Sequence, residues 1–314
     1  MMINVMVFSV FSLSGLKDTT TKNRVILFCL TLLCYIVILL VNVALIMTII
    51  LEEKLHKPMY IFLCNLCINS LYGTAAFYPK FLFDVLSNTH VISYIGCLLQ
   101  VFVIYSYASC DFSILTVMAY DRYVAICRPL EYHAFMTKHR VAFLVGVSRL
   151  VPFLCMAVVI VMTSKLTLCG SQIEKLYCEN WSVLKLSCNS TTANNIVGFI
   201  VIVFYFGHDL FIIFSYVQLV KFALQSREGR KKFLQTCVPH LLCLLNVTVA
   251  LLFDLMHARY GSASIPQSVK NFMAVQFLII PPILNPIVYG LKLTQVRYSL
   301  LSLCRCNKQE KGLK

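Results

Sequence analysis

Asp121 and Arg122 are neighbouring charges near the end of a long apolar run, Met118-Ala119-Tyr120-Asp121-Arg122-Tyr123-Val124-Ala125-Ile126-Cys127. A carboxylate and a guanidinium set together there can pair and hold the arginine until its surroundings change. The ordinary alternative is an arginine at a helix end reaching for the membrane interface. A second unusual stretch is Pro281-Pro282-Ile283-Leu284-Asn285-Pro286-Ile287-Val288-Tyr289. Each proline removes a backbone donor and frees a carbonyl that needs a partner. Asn285 can supply one, and Tyr289 can turn into the core; an ordinary proline kink is the alternative. His208-Asp209, with His240 and His257, could suggest metal ligands. They fall on different apolar runs at different depths, so helix contacts are the better reading and no metal is expected. Catalytic arrangements are missing. Tyr120-Asp121 resembles half of an aspartyl pair with no second half, and His-Glu-x-x-His does not occur. Neither enzyme chemistry nor a cofactor is expected.

The elements that must position these residues are membrane helices. Of 314 residues, 59% are hydrophobic and 13% charged, whereas a soluble domain is about one-quarter charged. A bilayer core needs roughly 20 apolar residues in a helix. Seven stretches qualify: Val25–Leu51, Met59–Phe83, Ile95–Cys127, Val141–Thr163, Asn195–Val220, Val238–Met256 and Val269–Leu291. The second and third are interrupted by Asn65, Asn69 and Asp111. Open strands cannot cross lipid, so an all-α membrane protein is expected, a seven-transmembrane-helix bundle. The net charge of +14 sits in short connectors rather than on one face, which argues for topology and against a nucleic-acid partner.

Orientation follows from lysine and arginine in the loops. With the N-terminus outside, the inner side holds Lys54, Lys57, Arg122, Arg128, Lys138, Arg140, Lys221, Arg227, Arg230, Lys231, Lys232 and six more in the tail after Leu291. The outer side holds Lys17, Lys22, Arg24, Lys165, Lys175, Lys185, Arg259 and Lys270. That bias of roughly two to one places the N-terminus outside. Residues 1–24 are then an extracellular segment, 25–291 the transmembrane domain and 292–314 a cytoplasmic tail. The first 16 residues are apolar but lack a basic start, so no cleaved signal peptide is read and the first span does the targeting. Cys97 opens the third span outside, and Cys169, Cys178 and Cys188 crowd the long outer loop 164–194. Four cysteines facing an oxidising compartment can close two disulfides in three pairings. The same loop carries sequons at Asn180 and Asn189; a third, at Asn246, falls inside a span. Past Leu291, Val296, Leu300 and Leu303 recur at helical spacing, a short amphipathic helix on the inner leaflet, where membrane lipid is a partner and Cys304 or Cys306 can carry an acyl chain.

Several motifs together resemble those of rhodopsin-like G-protein-coupled receptors, and more narrowly odorant receptors. They are Pro58-Met59-Tyr60-Ile61-Phe62-Leu63-Cys64-Asn65-Leu66, the Met118–Cys127 run continued by Arg128-Pro129-Leu130, Ser215-Tyr216, Lys232-Phe233-Leu234-Gln235-Thr236-Cys237-Val238-Pro239-His240-Leu241, and Pro282 to Tyr289. A third outer-loop cysteine is also a feature of odorant receptors. The resemblance implies pairings Cys97–Cys178 and Cys169–Cys188. It implies that Asp121, Arg122, Tyr123, Tyr216, His240, Asn285, Pro286 and Tyr289 serve activation and coupling to a stimulatory G protein, raising cAMP as span six swings outward. The implied partners are an odorant, that G protein, arrestin and a receptor kinase; the implied location is the plasma membrane of sensory cilia. The alternative is a related receptor for a non-odorant small molecule, lipid or peptide. A transporter would show inverted repeats, which are not found.

For the ligand, a mostly apolar pocket between helices is expected. Helical steps outward from Arg122 put Val101, Ile104, Tyr105, Ala108 and Ser109 on one face of span three. The resemblance adds Val197, Ile200, Val201 and Phe204 on span five, Leu251, Leu252 and Leu255 on span six, and Val275 and Leu278 on span seven. For each of these residues, plain helix packing is at least as ordinary a role. Ile104 stands where amine-binding relatives carry an acid, so an amine held there is disfavoured, with Asp111 and Asp254 as other acids. Departures from the family pattern are also visible. Ser70 replaces the usual acid in span two, which puts sodium binding at Asp111 in doubt. Arg149 stands where many members have tryptophan, at a cost of roughly 2.5–3.5 kcal/mol unless it finds a partner or snorkels.

Overall fold

The computed structural model describes residues 10–16, 20–223, 241–242, 244–249 and 267–292. Six helices within that set are long and apolar enough to cross a membrane. They run Thr21–Leu51, Pro58–Leu86, Tyr94–Cys127, Lys138–Ser164, Thr192–Ala223 and Gln267–Lys292, and supply spans one to five and seven. The described residues of span six, 241–242 and 244–249, are also helical. The tail helix around Val296, Leu300 and Leu303, with Cys304 and Cys306, lies outside the described residues.

Local chemistry sets several of the ends. Pro58 opens span two at a position where a backbone donor has no helical partner. Ser93 caps span three by accepting from the Gly96 amide, and Thr137 caps span four through the Arg140 amide. Burial grades the spans, with span seven intermediate at 44% of its most apolar window. Spans two and three have 61% and 72% of their most apolar window buried, spans one, four and five 11–17%. The two sequences interrupted by Asn65, Asn69 and Asp111 are therefore the interior helices. A helix buried all round must satisfy polar groups against its neighbours, whereas a lipid-facing one can be uniformly apolar.

Outside the bundle is a small sheet that the apolar reading of residues 1–24 did not foresee. Strands β1 (Val10–Leu13), β2 (Val91–Ser93) and β3 (Gln172–Ile173) lie in the order β2-β1-β3. β1 alternates, with Phe11 and Leu13 buried and Val10 exposed, the two-residue period of a strand. The chain continues to Gly15, whose amide reaches the Lys175 carbonyl at 3.2 Å. A side chain at Gly15 would meet that backbone at 2.7 Å, so the close approach requires glycine. Asn271 of span seven donates to the Gly15 carbonyl at 2.9 Å. Residues 10–16 thus lie across the outer mouth, joined to the outer loop and to span seven.

Candidate functional site

At the inner end of span three, Asp121 is fully buried and Arg122 pairs with it through Nε at 3.0 Å and through Nη2. Tyr132, in the short helix Tyr132–Phe135 that follows Arg128-Pro129-Leu130, donates its hydroxyl to the other Asp121 oxygen at 2.7 Å. Burial and the nearby carboxylate both push the Tyr132 phenol up, so it keeps its proton and stays a donor. The carboxylate is shared between the arginine and the second inner loop. Tyr132 was not visible in the sequence as part of this group, because an inner-loop tyrosine carries no signal until the loop folds back. Tyr216 is buried on span five.

Three prolines in span seven each free the carbonyl four residues earlier. Pro286 frees that of Pro282, and Asn42 Nδ2 of span one donates to it at 2.8 Å. Pro281 frees that of Phe277, and the Tyr107 hydroxyl of span three donates to it at 3.2 Å. Pro282 frees that of Leu278, and the Tyr78 hydroxyl of span two reaches it at 3.5 Å. A donor from a different helix thus answers each orphaned carbonyl. Tyr107 reaches across because Gly73 leaves room; a Cβ there would come within 2.2 Å of its ring. Asn285, expected to answer a freed carbonyl, instead lies fully buried with no hydrogen-bond partner among the described residues. Pro286 is buried beside it.

Toward the outer face a cavity of about 180 Å³ opens between spans three, four and five. Its walls include Val101, Ala108 and Phe112 of span three, Met156 and Ile160 of span four, Val201 and Ile202 of span five, and Phe277 of span seven. Glu179, Asn180, Trp181 and Leu184 of the outer loop roof it. Cys97–Cys178 and Cys169–Cys188 are disulfides, with Cα atoms 5.3 and 5.2 Å apart. The first ties span three to the roof, immediately before Glu179. Gln100 secures the same join by accepting from the Cys178 amide at 2.9 Å. Tyr177 donates to the Ala274 carbonyl of span seven at 3.1 Å.

A family model for olfactory receptors matches residues 28–306. The chain belongs to the olfactory receptor family. Human olfactory receptor 52D1 (Homo sapiens) is 34% identical over 281 residues, 87% of each chain. Mouse olfactory receptor 5M5 (Mus musculus) is 33% identical over 304 residues, 95% of this chain and 93% of its own. Human olfactory receptor 10J5 (Homo sapiens) is 35% identical over 291 residues, 89% and 90% of the two chains. The chain is accordingly a multi-pass receptor of the plasma membrane, not an enzyme.

Of the ligand residues expected in this receptor, Val101, Tyr105, Ala108, Ser109 and Val201 line the cavity. Ile104 does not. It packs into the core with Phe77, Tyr107 and Leu278 of spans two, three and seven. Val275 and Leu278 belong to that same core, as does Phe277, which also meets the cavity. On span five the face is rotated from the expected one. Asn194, Asn195, Gly198, Val201, Ile202, Tyr205 and Asp209 turn inward, while Ile200 and Phe204 are 60% and 45% exposed and face lipid. Val197 is half-buried outside the cavity wall. Leu251, Leu252, Leu255, Asp254, His240 and His257 lie outside the described residues, and Tyr289 lies within the helix of span seven with its side chain outside them.

Other sequence features find physical explanations. His208 meets the Phe204 carbonyl at 3.1 Å while Asp209 accepts from Thr248, and among the described residues no cluster of three His, Cys, Asp or Glu forms. Asp111 is met by Asn69 Nδ2 at 2.6 Å, and the adjacent Ser70 turns back to the Leu66 carbonyl. Asn69, not Ser70, therefore faces the carboxylate. Arg149 finds its partner in span two: Nε donates to Asn65 Oδ1, and Nη2 to the Asn65 carbonyl at 3.1 Å. Asn180 accepts from Thr163 at 2.9 Å within the roof, whereas Asn189 is exposed. Tyr123 is half-buried beside the switch pair.

Proposed function

We propose that a small odorant occupies the roofed cavity and shifts the receptor toward a state in which span six has moved outward. The observation that carries this reading is the pairing of an apolar, roofed cavity at one end of span three with the Asp121–Arg122–Tyr132 cluster at the other. One rigid helix touches both. A ligand shifts such an equilibrium only by its difference in affinity for the two states. In the active state Arg122 leaves Asp121 and meets a stimulatory G protein, which raises cAMP; Tyr123, Tyr216, His240, Asn285, Pro286 and Tyr289 rearrange around it. No bond in the ligand changes.

The test is an N-terminally tagged receptor co-expressed with a cAMP reporter and exposed to a broad odorant panel while surface staining is scored. The expected result is a cAMP rise that Arg122→Ala abolishes with surface protein unchanged. Surface receptor silent to the whole panel, or a response that survives Arg122→Ala, overturns the reading.

A further inference from the structure

We propose that the cavity selects small protonated amines and that Asp209 is their counter-charge. This rests on the cavity being the odorant site. Asp209 lies in the middle of span five and lines the cavity. A carboxylate at that depth is costly and calls for a compensating partner or a function. Its hydrogen bond from Thr248 is long, 3.4 Å. Among the described residues the other acid at the cavity, Glu179, is already held by Lys175 at 2.7 Å. No lysine or arginine is among the described residues of the cavity wall. His208, next along the chain, is engaged with the Phe204 carbonyl and lies outside the wall.

The neighbourhood of Asp209 suits an ammonium head. Tyr205, four residues earlier, shares its helix face. Its hydroxyl is buried, with the Ser109 and Ser113 hydroxyls beside it. Carboxylate, phenol and the Thr248 hydroxyl provide acceptors for the three N–H donors of a primary ammonium. Above them the apolar walls suit a hydrocarbon body. A cation entering such walls alone would be expelled by its loss of hydration. Opposite a carboxylate in a low-dielectric site, the attraction is several times stronger than in water. A neutral alcohol gains only a hydrogen bond there, and an anion is repelled. The volume sets the scale: about 180 Å³ is slightly more than the roughly 150 Å³ hole that takes up benzene, which points to ligands of about six to ten heavy atoms. Ile104, packed in the core, offers no anchor on span three, whereas Asp209 offers one on span five in the cavity wall itself.

The experiment measures thermal unfolding of the purified receptor with 1-hexylamine, 1-hexanol or hexanoate at neutral pH, so that binding is read without G-protein coupling. The wild type is expected to bind hexylamine at least about tenfold more tightly than hexanol and to ignore hexanoate. Asp209→Asn is expected to erase that preference while still binding hexanol and excluding hexanoate, the retained hexanol binding showing an intact pocket. Asp209→Glu keeps the charge and is expected to keep the preference, which separates loss of the anchor from loss of folding. Equal binding of amine and alcohol by the wild type, or an amine preference that survives in Asp209→Asn, overturns the proposal. Stabilisation by neutral odorants but not by hexylamine overturns amine selectivity and leaves the cavity as the odorant site. No stabilisation by any compound of the panel, in a receptor that unfolds cooperatively, overturns both.

Discussion

The two sides of span three are built on different principles. Toward spans one, two and seven, carbonyls released by prolines are answered across helices by Asn42, Tyr78 and Tyr107, although the Asn285 side chain there stays unpartnered among the described residues. Toward spans four and five, the helices part around an apolar cavity, and polar atoms of Asn194 and Asn195 are left without close partners. Hydrogen bonds that cross between helices help specify one arrangement, while polar atoms left open at a cavity invite a ligand to complete them. One side holds the bundle together, and the other has room to respond.

The strongest way to break this contrast is to cut the element joining the two sides. Cys97→Ser removes the disulfide between span three and the cavity roof and is expected to cost about 2–5 kcal/mol. Flow cytometry should then find little receptor at the surface; near-normal surface protein would mean that the roof does not depend on the crosslink. Next comes the matched side. Asn42→Leu strands the Pro282 carbonyl and should cost about 1–3 kcal/mol, read as a lower unfolding temperature in detergent. Val201→Ala on the responsive side should change odorant potency with a smaller loss of stability, and Ile200→Ala, facing lipid, should change neither. Equal stability losses for Asn42→Leu and Ile200→Ala would remove the distinction.

A smaller effect is expected from pH at the outer sheet. His90 is buried beside β2, its carbonyl receiving the Leu13 amide at 2.8 Å. Burial lowers its pKa below the usual 6.5, so the folded protein favours the neutral ring. The unfolded chain binds more protons below 6.5, and stability is therefore lost as pH falls through that value and kept above it. Protection of the β1 amides from hydrogen exchange, taken relative to the intrinsic rate at each pH, should fall on acidification in the wild type and change less in His90→Gln. The smallest effect concerns glycosylation. Asn189→Gln should remove a glycan-dependent gel shift and Asn180→Gln should not, because Asn180 is engaged with Thr163 inside the roof.

What the sequence determined by itself was local in origin. Runs of apolar residues count out the spans, lysine and arginine orient them, and Asp121-Arg122 marks the inner end of span three. The family resemblance implied the disulfide pairs, since the spacing of the four cysteines left three pairings open. Tertiary structure decided the matters that depend on helix rotation and depth. Asn42 and Pro282 are 240 residues apart, and no spacing rule links them. Asn285 was the nearer and more obvious donor, yet its side chain is not the one aimed at a freed carbonyl. Arg149 read as a liability until Asn65 faced it. A modest rotation of span five exchanged Ile200 and Phe204 for Ile202, Tyr205 and Asp209 at the cavity. In a helix that is apolar on every side, hydropathy carries no phase, and only packing against spans three and four sets which residues face inward.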